Sequence, residues 1–410
     1  MTPFPLDLAE IFGHWGAYVV YLFIGMAFGA VLEIAGFAYS PKLAGQFYFK
    51  DMTVLKVMFT GIIVAMVLIF LASGLGLLDF NLIWVNPTYL WPGIVGGLIM
   101  GAGFIIGGFC PGTSLVAAAT FKVDGIFFAL GAFFGIFLFG ETVSAFEDFW
   151  YSSDMGRFTL MDLFNLDAGV IVLVIVVLAL VAFVLAEKSE QIFGGQKAGQ
   201  SPRWYGMAAG GLVILAAFAL VVGQPSTQEK WSRISDDSEA KLAAREVQID
   251  AGELLHLRYN NSIRVMMLDV RDETDYNLFH IEEARHVLVE DIPDMIPELL
   301  LEPTNTVFVV MSNDESRATE VWKTLTAESV PNVYILGGGV NGWLTIFGDE
   351  AITQNSLPQI NDDQLGYLFP VALGSRVPAA NPNPDVYEFL EYDEKVKLET
   401  RGGASGGGCG

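Results

Sequence analysis

The sequence predicts an α-helical integral membrane part with internal repeats and broken or re-entrant helices, followed by an α/β part that faces water. Three observations support this prediction. The 410 residues are 53% hydrophobic and only 17% charged, whereas soluble domains carry about 25% charged residues. Six apolar stretches are long enough, or nearly so, to cross a membrane. Charge is concentrated in the second half: residues 1–223 hold 8 basic and 14 acidic side chains, and residues 224–410 hold 14 and 32.

The apolar stretches set the expected membrane topology. A helix needs about 20 apolar residues to cross the hydrocarbon core. We expect spans near 15–36, 55–78, 89–109, 125–146, 168–186 and 205–223. Basic residues occur in the 37–53 loop, at Lys122 and in the 187–204 loop, and the alternate loops are poor in them. Because basic loops stay in the cytoplasm, we expect both termini to lie outside it.

The membrane part repeats itself after 72 residues. Gly25, Gly29, Gly36, Phe37, Phe49 and Lys50 recur as Gly97, Gly101, Gly108, Phe109, Phe121 and Lys122. Each copy is predicted to be a span, a Gly/Pro break, a short apolar segment (43–49 or 113–121) and another span. Broken backbone is tolerated in a membrane only where it is buried in protein or lines a cavity, and paired interrupted segments indicate a transport site. Alternatively, small residues at a spacing of four only let helices pack closely, which does not explain the short segments.

A cysteine lies at the second break. Pro111 ends the preceding helix and suits the first turn of a new one, which Thr113 or Ser114 can cap. The positive end of that helix is an anion site beside the thiol of Cys110, and a soft sulfur fits a sulfur-containing anion. The alternative is that Cys110 is a small buried hydrophobe. The candidate path residues are Gly108, Cys110, Pro111, Gly112, Thr113 and Ser114.

The stretch 25–56 and the GGFCPGT loop resemble the YeeE/YedE family of bacterial sulfur-compound transporters, which includes thiosulfate permeases. The resemblance covers about residues 15–145. It implies uptake of thiosulfate or a related species through the bacterial inner membrane, handed between pore cysteines by weak S–H···S contacts, with Cys110 at such a position. Fuller-length members have more spans and several pore cysteines, so a homodimer or a second half-length permease would supply the missing half.

The acidic second half alternates short strands with helical stretches over residues 249–348, which is typical of βαβ units. The segments 268–272, 280–284 and 333–343 resemble the opening, and the closing strand, glycine turn and helix, of a rhodanese domain. The expected organisation is therefore a membrane domain (1–223), a linker and helix (224–248, the helix at 238–247), a rhodanese-like domain (249–348) in the periplasm, and a C-terminal extension (349–410).

The expected catalytic loop lacks its cysteine. In the rhodanese family, a cysteine five residues before an arginine carries a persulfide; here the arginine is Arg317 and that position is Ser312. A hydroxyl cannot store sulfur as a thiolate does. Glu315 replaces the usual glycine and Asp314 adds negative charge. We therefore expect a transporter with no catalytic residue and no cofactor, whose rhodanese-like domain binds or presents substrate. The alternatives are a membrane-anchored sulfur-handling enzyme or sensor, or an accessory subunit of a membrane complex.

A second cysteine, Cys409, follows a Gly/Ser run. Such an arm reaches about 15–17 Å and resembles the glycine-flanked C-terminal cysteine of the carrier subunit of the periplasmic Sox sulfur-oxidation system; the alternative is an inert tail. Two cysteines are too few for a disulfide framework or a cysteine zinc site, and the acidic composition excludes nucleic-acid binding. The expected partners are a reduced-sulfur anion, the lipid bilayer and periplasmic sulfur-carrier proteins.

Overall fold

The computed structural model describes residues 4–6, 8–194, 203–357 and 363–398. The chain divides into a membrane unit that ends at Gln224 and a C-terminal unit that begins at Pro225.

The membrane unit consists of helices. They are α1 (Leu8–Ile34), α2 (Ser40–Gly45), α3 (Thr53–Gly74), α4 (Leu90–Gly107), α5 (Pro111–Ala119), α6 (Val123–Thr142), α7 (Glu147–Trp150), α8 (Leu160–Phe164), α9 (Ala168–Phe193) and α10 (Arg203–Val222). Six segments of the described chain are long and apolar enough to cross a membrane: 11–34, 53–74, 90–119, 123–150, 168–193 and 204–222. The expected number of spans is confirmed, and each segment overlaps one of the stretches expected from the sequence.

Two groups of helices make up this unit. Helices α3, α9 and α10 pack on one another around Val67, Val172, Val176 and Ala216, all with 0% exposure. In the other group α5 folds back against α6, while α5 also contacts α1 and α2 contacts α4. The short segments of the two repeats are therefore each placed against a long helix of the other repeat.

The 72-residue repeat is present in the backbone. Gly36 and Gly108 have left-handed φ values of 79° and 70°, and Phe49 and Phe121 have 55° and 59°. The turns that end the short segments match bond for bond. The Lys50 N–H donates to the Gly45 carbonyl and the Lys122 N–H to the Ala117 carbonyl, each at 3.0 Å. These equivalent bonds show that the sequence repeat is a repeat of local structure.

A buried carboxylate ties α9 to α3. Glu190, only 8% exposed, accepts hydrogen bonds from the Met52 N–H at 2.5 Å and from the Lys56 ammonium at 2.8 Å. Met52 is the residue before α3 begins. The carboxylate thus meets both a lysine and the positive end of α3, which stabilises a charge that would otherwise be costly to bury.

The C-terminal unit is a five-stranded parallel sheet in the order β1-β5-β4-β2-β3. The strands are β1 (Gln248–Ile249), β2 (Arg264–Asp269), β3 (Arg285–His286), β4 (Thr306–Met311) and β5 (Val333–Leu336). The helices are α11 (Thr227–Ala243), α12 (Ala251–Arg258), α13 (Glu273–Leu278), α14 (Ile292–Leu299), α15 (Ser316–Ala327), α16 (Gly339–Phe347) and α17 (Glu350–Thr353).

Strand β4 is buried on both faces. Its residues Val307, Val309 and Met311 join a core that includes helices α12 and α16, and Phe308 and Val310 join a second core with α11, α14 and α15. A parallel sheet covered on both sides requires such continuous apolar strands. The carboxyl end of this central strand delivers residue 312 to the edge of the sheet.

The helix expected at 238–247 begins earlier in the chain than the sequence predicted. The structure shows α11 at Thr227–Ala243, so most of the expected linker is helical. Ser226 accepts from the Glu229 N–H, and the Glu229 carboxylate accepts from the Ser226 N–H. This capping box fixes the start of the helix, and its Ser-x-x-Glu pattern was the signal that the sequence analysis missed.

Candidate functional site

Gly108 lies where the two breaks of the membrane unit approach each other. It ends α4 in the left-handed conformation. A Cβ atom at this position would lie 3.0 Å from the Cβ atom and 3.1 Å from the carbonyl oxygen of Ser40, at the start of α2. A side chain here would therefore be strained by both its conformation and its neighbour. Only glycine lets the two breaks approach this closely.

Cys110 caps the N-terminus of α5. The Thr113 N–H donates to Cys110 Sγ at 3.4 Å, the Cys110 N–H donates to Thr113 Oγ1 at 3.0 Å, and the two side-chain atoms lie 3.2 Å apart. The arrangement is a capping box with sulfur in place of the usual oxygen. It fixes the position of a half-buried thiol.

The expectation that Thr113 or Ser114 caps this helix was wrong. Because Pro111 occupies the first helical position, the cap falls on Cys110. Thr113 is the reciprocal partner three residues on, and the Ser114 hydroxyl donates back to the Pro111 carbonyl at 2.7 Å. The thiol therefore lies at the positive end of α5, which favours the binding of a negatively charged ion beside it.

A buried apolar cluster supports the breaks. Phe37 and Phe109, equivalent residues of the two repeats, are 0% and 1% exposed. They belong to one cluster with Leu32, Leu43 and Ala117. The position equivalent to Cys110 in the first repeat is Ala38. Ala38 is fully buried, whereas Cys110 is half-buried. The two repeats therefore share a backbone and differ in chemistry at the thiol.

Charged groups surround the breaks, and the sequence analysis missed them. Ser40 Oγ donates to Asp124 Oδ2 at 2.7 Å, Lys122 pairs with Glu33 at 3.2 Å, and the Lys42 ammonium donates to the Ala35 carbonyl at 2.8 Å. The signal available in the sequence was the presence of charged residues within or beside the short segments of both repeats.

A second group of interest is the 312–317 loop after β4. Ser312 is fully buried; its hydroxyl accepts from the Ala318 N–H and donates to the Asp314 carbonyl, each at 3.1 Å. Both functions of the hydroxyl are thus used within the loop. Glu315 binds Arg245 and the Gly338 N–H, each at 2.6 Å, so its charge is paired.

Asp363 from the C-terminal extension reaches this loop. Its Oδ1 accepts from the Asn313 N–H at 3.0 Å, and its Oδ2 lies 2.8 Å from Arg317 Nε, an ion-pair contact without hydrogen-bond alignment. Burial raises the pKa of Asp363 above its ordinary value, although these two partners oppose the rise. Asp272 holds the other side of Arg317 at 2.8 Å, and that hydrogen bond lowers the pKa of Asp272.

The Asp314 carboxylate also accepts hydrogen bonds from backbone N–H groups of this chain. It accepts from the Ser316 N–H at 2.8 Å and from the Asp363 N–H at 3.0 Å. Burial alone would raise the pKa of Asp314, but these hydrogen bonds outweigh it and the pKa lies below its ordinary value. Two N–H groups of the loop, those of Asn313 and Ser316, are therefore occupied by carboxylates of this chain.

The remaining sequence-predicted residue, Cys409, lies outside the described residues. Among the described residues, no three His, Cys, Asp or Glu side chains are grouped so that they could hold a metal ion.

The membrane unit matches a known family. Residues 35–240, just over half of the chain, match the family model described as Sulphur transport. The chain belongs to the sulphur transport family. This member carries a second match, residues 250–345, to the model described as Rhodanese-like domain. The two resemblances drawn from the sequence are thereby confirmed, and the sulphur transport protein is a multi-pass membrane protein with an α/β rhodanese-like domain.

Two individual proteins are similar to parts of this sulphur transport protein. The thiosulfate transporter TsuA of Spirochaeta thermophila is 28% identical over 140 residues, which are 33% of this chain and 39% of that transporter. The chain thus spans well under half the length of this curated relative. The solution structure of a rhodanese-like domain from an Anabaena protein is 26% identical and covers 29% of this chain and 89% of that domain, with a TM-score of 0.23.

Proposed function

We propose that this sulphur transport protein carries thiosulfate or a related reduced-sulfur anion across the membrane past Cys110. The observation that carries the proposal is the break between α4 and α5, where a half-buried thiol caps a helix N-terminus. Similarity to TsuA supports thiosulfate as the substrate. A membrane anchor needs one span, whereas the described part of this chain has six candidate spans and two backbone breaks, at Gly36 and Gly108, so we favour transport over an anchored enzyme or sensor.

The chemistry of the site suits such an anion. A thiol is a soft, polarisable group that can contact the outer sulfur of thiosulfate by a weak S–H···S interaction. The positive end of α5 offsets part of the negative charge. Neither interaction forms a covalent bond, so the anion can leave as readily as it enters. We propose Gly108, Pro111, Gly112, Thr113 and Ser114 as the backbone and side-chain lining of this path.

Uptake of radiolabelled thiosulfate into membrane vesicles tests the proposal. Cys110→Ala should abolish uptake. Cys110→Ser retains an oxygen that can cap α5 and should also abolish uptake, which separates the sulfur from the cap. Undiminished uptake by both variants would refute the assignment of Cys110. Gly101→Ala is the matched control, because that glycine lies inside α4 with no atom near its Cβ position.

We further propose that the protein lies in a bacterial inner membrane with its C-terminal unit in the periplasm. Six crossings bring both ends of the membrane unit to one side, and the basic residues of the 37–53 loop, Lys122 and the 187–194 segment favour the cytoplasm for the other side. Protease added to spheroplasts should cut the C-terminal unit. Cleavage only after lysis would reverse the orientation.

We propose that the rhodanese-like domain binds or presents substrate and has no sulfurtransferase activity. Support comes from Ser312, whose hydroxyl is engaged on both sides, and from the pairing of Arg317 with Asp363 and Asp272. The proposed division of the chain is 1–223, 224–248, 249–348 and 349–410. The isolated piece 225–410, assayed with thiosulfate and cyanide, should form no thiocyanate.

The proposed partners complete the path. A homodimer or a second half-length permease would supply further spans, and periplasmic sulfur-carrier proteins would deliver the anion. Cys409 is proposed as a sulfur carrier. After exposure of the purified protein to polysulfide, intact-mass measurement should show an adduct that is lost on reduction and absent from Cys409→Ser. Cross-linking in native membranes tests the dimer.

A further inference from the structure

The first break of the membrane unit contains a lysine that makes no ion pair within the described residues. The Lys42 ammonium is half-buried and donates to the Ala35 carbonyl at 2.8 Å. Within the described part of the chain, no carboxylate pairs with it. Among the neighbouring charged groups, Glu33 and Lys122 pair with each other, and Asp124 keeps its charge while it accepts a hydrogen bond from the Ser40 hydroxyl. Lys42 is thus the basic side chain of the junction that makes no ion pair among the described residues.

The backbone makes room for this ammonium. Gly36 has a φ of 79°, and a Cβ atom there would lie 3.1 Å from Lys42 Nζ. A larger residue at Gly36 would adopt a strained backbone conformation and would require the lysine side chain to shift by a few tenths of an ångström. The equivalent glycine of the second repeat, Gly108, makes room instead for Ser40. The same local backbone therefore has two uses. At the first break it leaves space for the Lys42 ammonium, and at the second break it leaves space for Ser40 of the first break.

The ammonium and the thiol belong to one junction. Ser40 lies two residues before Lys42, and Gly108 lies two residues before Cys110. A Cβ atom placed on Gly108 would lie 3.0 Å from the Ser40 Cβ atom and 3.1 Å from the Ser40 carbonyl oxygen. A small anion that reaches the thiol therefore enters the field of the ammonium.

We propose that Lys42 is the residue that recognises the charge of the substrate, a small sulfur oxyanion whose negative end faces the ammonium while its sulfur end faces Cys110. This proposal rests on the proposed function. Residues 1–223 carry more acidic than basic side chains, so a dianion entering them needs local compensation of its charge. Lys42 can supply it, because it is a half-buried cation beside broken backbone that makes no ion pair among the described residues.

A lysine that only braces the break would behave differently. In that case the hydrogen bond to Ala35 is its whole role, and removal of the charge would lower stability without changing the preference for anions. Lys42→Gln keeps a donor for the Ala35 carbonyl and removes the charge. Lys42→Arg keeps the charge. The pair of variants separates charge recognition from bracing.

The decisive measurement does not depend on transport. In a Cys409→Ser background, the full-length protein in detergent is treated with an anionic, sulfonate-bearing methanethiosulfonate or with its cationic, trimethylammonium-bearing counterpart. Modification of Cys110 is followed by mass. We expect Lys42→Gln to lower the ratio of anionic to cationic modification rates by about tenfold, as expected for loss of one charge at close range. Lys42→Arg should retain the ratio.

The matched control is Lys50→Gln. Lys50 is an exposed lysine of the same segment, beside the Tyr48 ring and outside the break, and its removal should leave the ratio unchanged. An unchanged ratio in Lys42→Gln, an equal fall in Lys50→Gln, or a Cys110 that reacts with neither reagent would overturn the proposal. In vesicles, Lys42→Gln should raise the KM for thiosulfate by about tenfold with little effect on maximal rate. Absence of thiosulfate uptake by the unmodified protein would refute the proposed function, while the rate ratio would still decide the role of Lys42.

Discussion

The carboxylate of Asp363 accepts a hydrogen bond from the backbone N–H of Asn313 at 3.0 Å, although the two residues are 50 positions apart in the chain. Asn313 is held from the other side by Arg271, whose guanidinium is fully buried in a pair with Asp269. The loop after β4 is thus fixed between a buried ion pair and a residue of the C-terminal extension. A carboxylate of the chain therefore occupies the Asn313 N–H of this loop.

This occupation leads to a prediction for activity. Ser312→Cys in the 225–410 piece should restore little thiosulfate:cyanide sulfurtransferase activity, because Asp363 and Asp314 still occupy the loop N–H groups. Ser312→Cys combined with Asp363→Asn should give more activity than Ser312→Cys alone. Thiocyanate formation measures it. Full activity from the single substitution would show that Asp363 does not block the loop.

The two aspartates predict opposite pH dependences of stability. The pKa of Asp363 is raised, so the native state binds its proton more tightly than the unfolded chain, and its contribution to stability falls as pH rises through the native pKa. The pKa of Asp314 is lowered, so its contribution is present above the unfolded value of 3.8 and is lost as pH falls through the native pKa. Asp363→Asn should therefore gain stability relative to wild type between acid and neutral pH, and Asp314→Asn should lose it.

Urea unfolding of the 225–410 piece between pH 3 and 7 measures both effects; its cores on the two faces of the sheet make it a self-contained unit. Parallel pH profiles for the two variants would contradict the assigned directions.

Thr113 is expected to position the thiol. Thr113→Val removes the oxygen that accepts from the Cys110 N–H and contacts Sγ, which should cost about 1 kcal/mol of stability through the lost cap and reduce thiosulfate uptake severalfold. Thr113→Ser retains the oxygen and serves as the control. The midpoint of thermal unfolding and the initial uptake rate are the measurements. Equal uptake by Thr113→Val and Thr113→Ser would show that Thr113 does not position the thiol.

Gly108 is expected to tolerate no side chain. Gly108→Ala places a Cβ atom 3.0 Å from Ser40 in a left-handed conformation, which costs about 1–2 kcal/mol for the backbone alone, and should abolish uptake by separating the two breaks. Gly101→Ala is the matched control, because that glycine lies inside α4 with no atom near its Cβ position. Thermal stability and uptake should change little in Gly101→Ala, and a similar loss in both variants would argue against the junction.

The sequence predicted the parts that repeat or that depend on long apolar runs. The six spans follow from length and hydropathy, and the 72-residue repeat followed from the glycines and phenylalanines that the backbone conformation requires. The rhodanese-like sheet followed from its strand and glycine-turn segments. The start of α11 at Thr227 was within reach, since Ser226 and Glu229 form a standard capping pattern.

Contacts between distant segments could not be predicted. Nothing local to Asp363 indicates that its carboxylate lies against Asn313, and nothing in the spacing of Ser40 and Gly108 shows that they touch. The cap at Cys110 was misassigned because sulfur is a rare capping atom, so the hydroxyls of Thr113 and Ser114 were favoured. Such features depend on the packing of whole helices and strands.

Ala38 occupies in the first repeat the position that Cys110 occupies in the second, and this difference has a consequence for the rate of transport. If the anion passes Cys110 as proposed, two segments of like backbone, one with a thiol and one with a methyl group, provide one thiol contact for each passage through the described part of one chain. In a path with one thiol site, no transfer between thiols limits the rate. The transport rate should therefore saturate hyperbolically with anion concentration, with a Hill coefficient of about one.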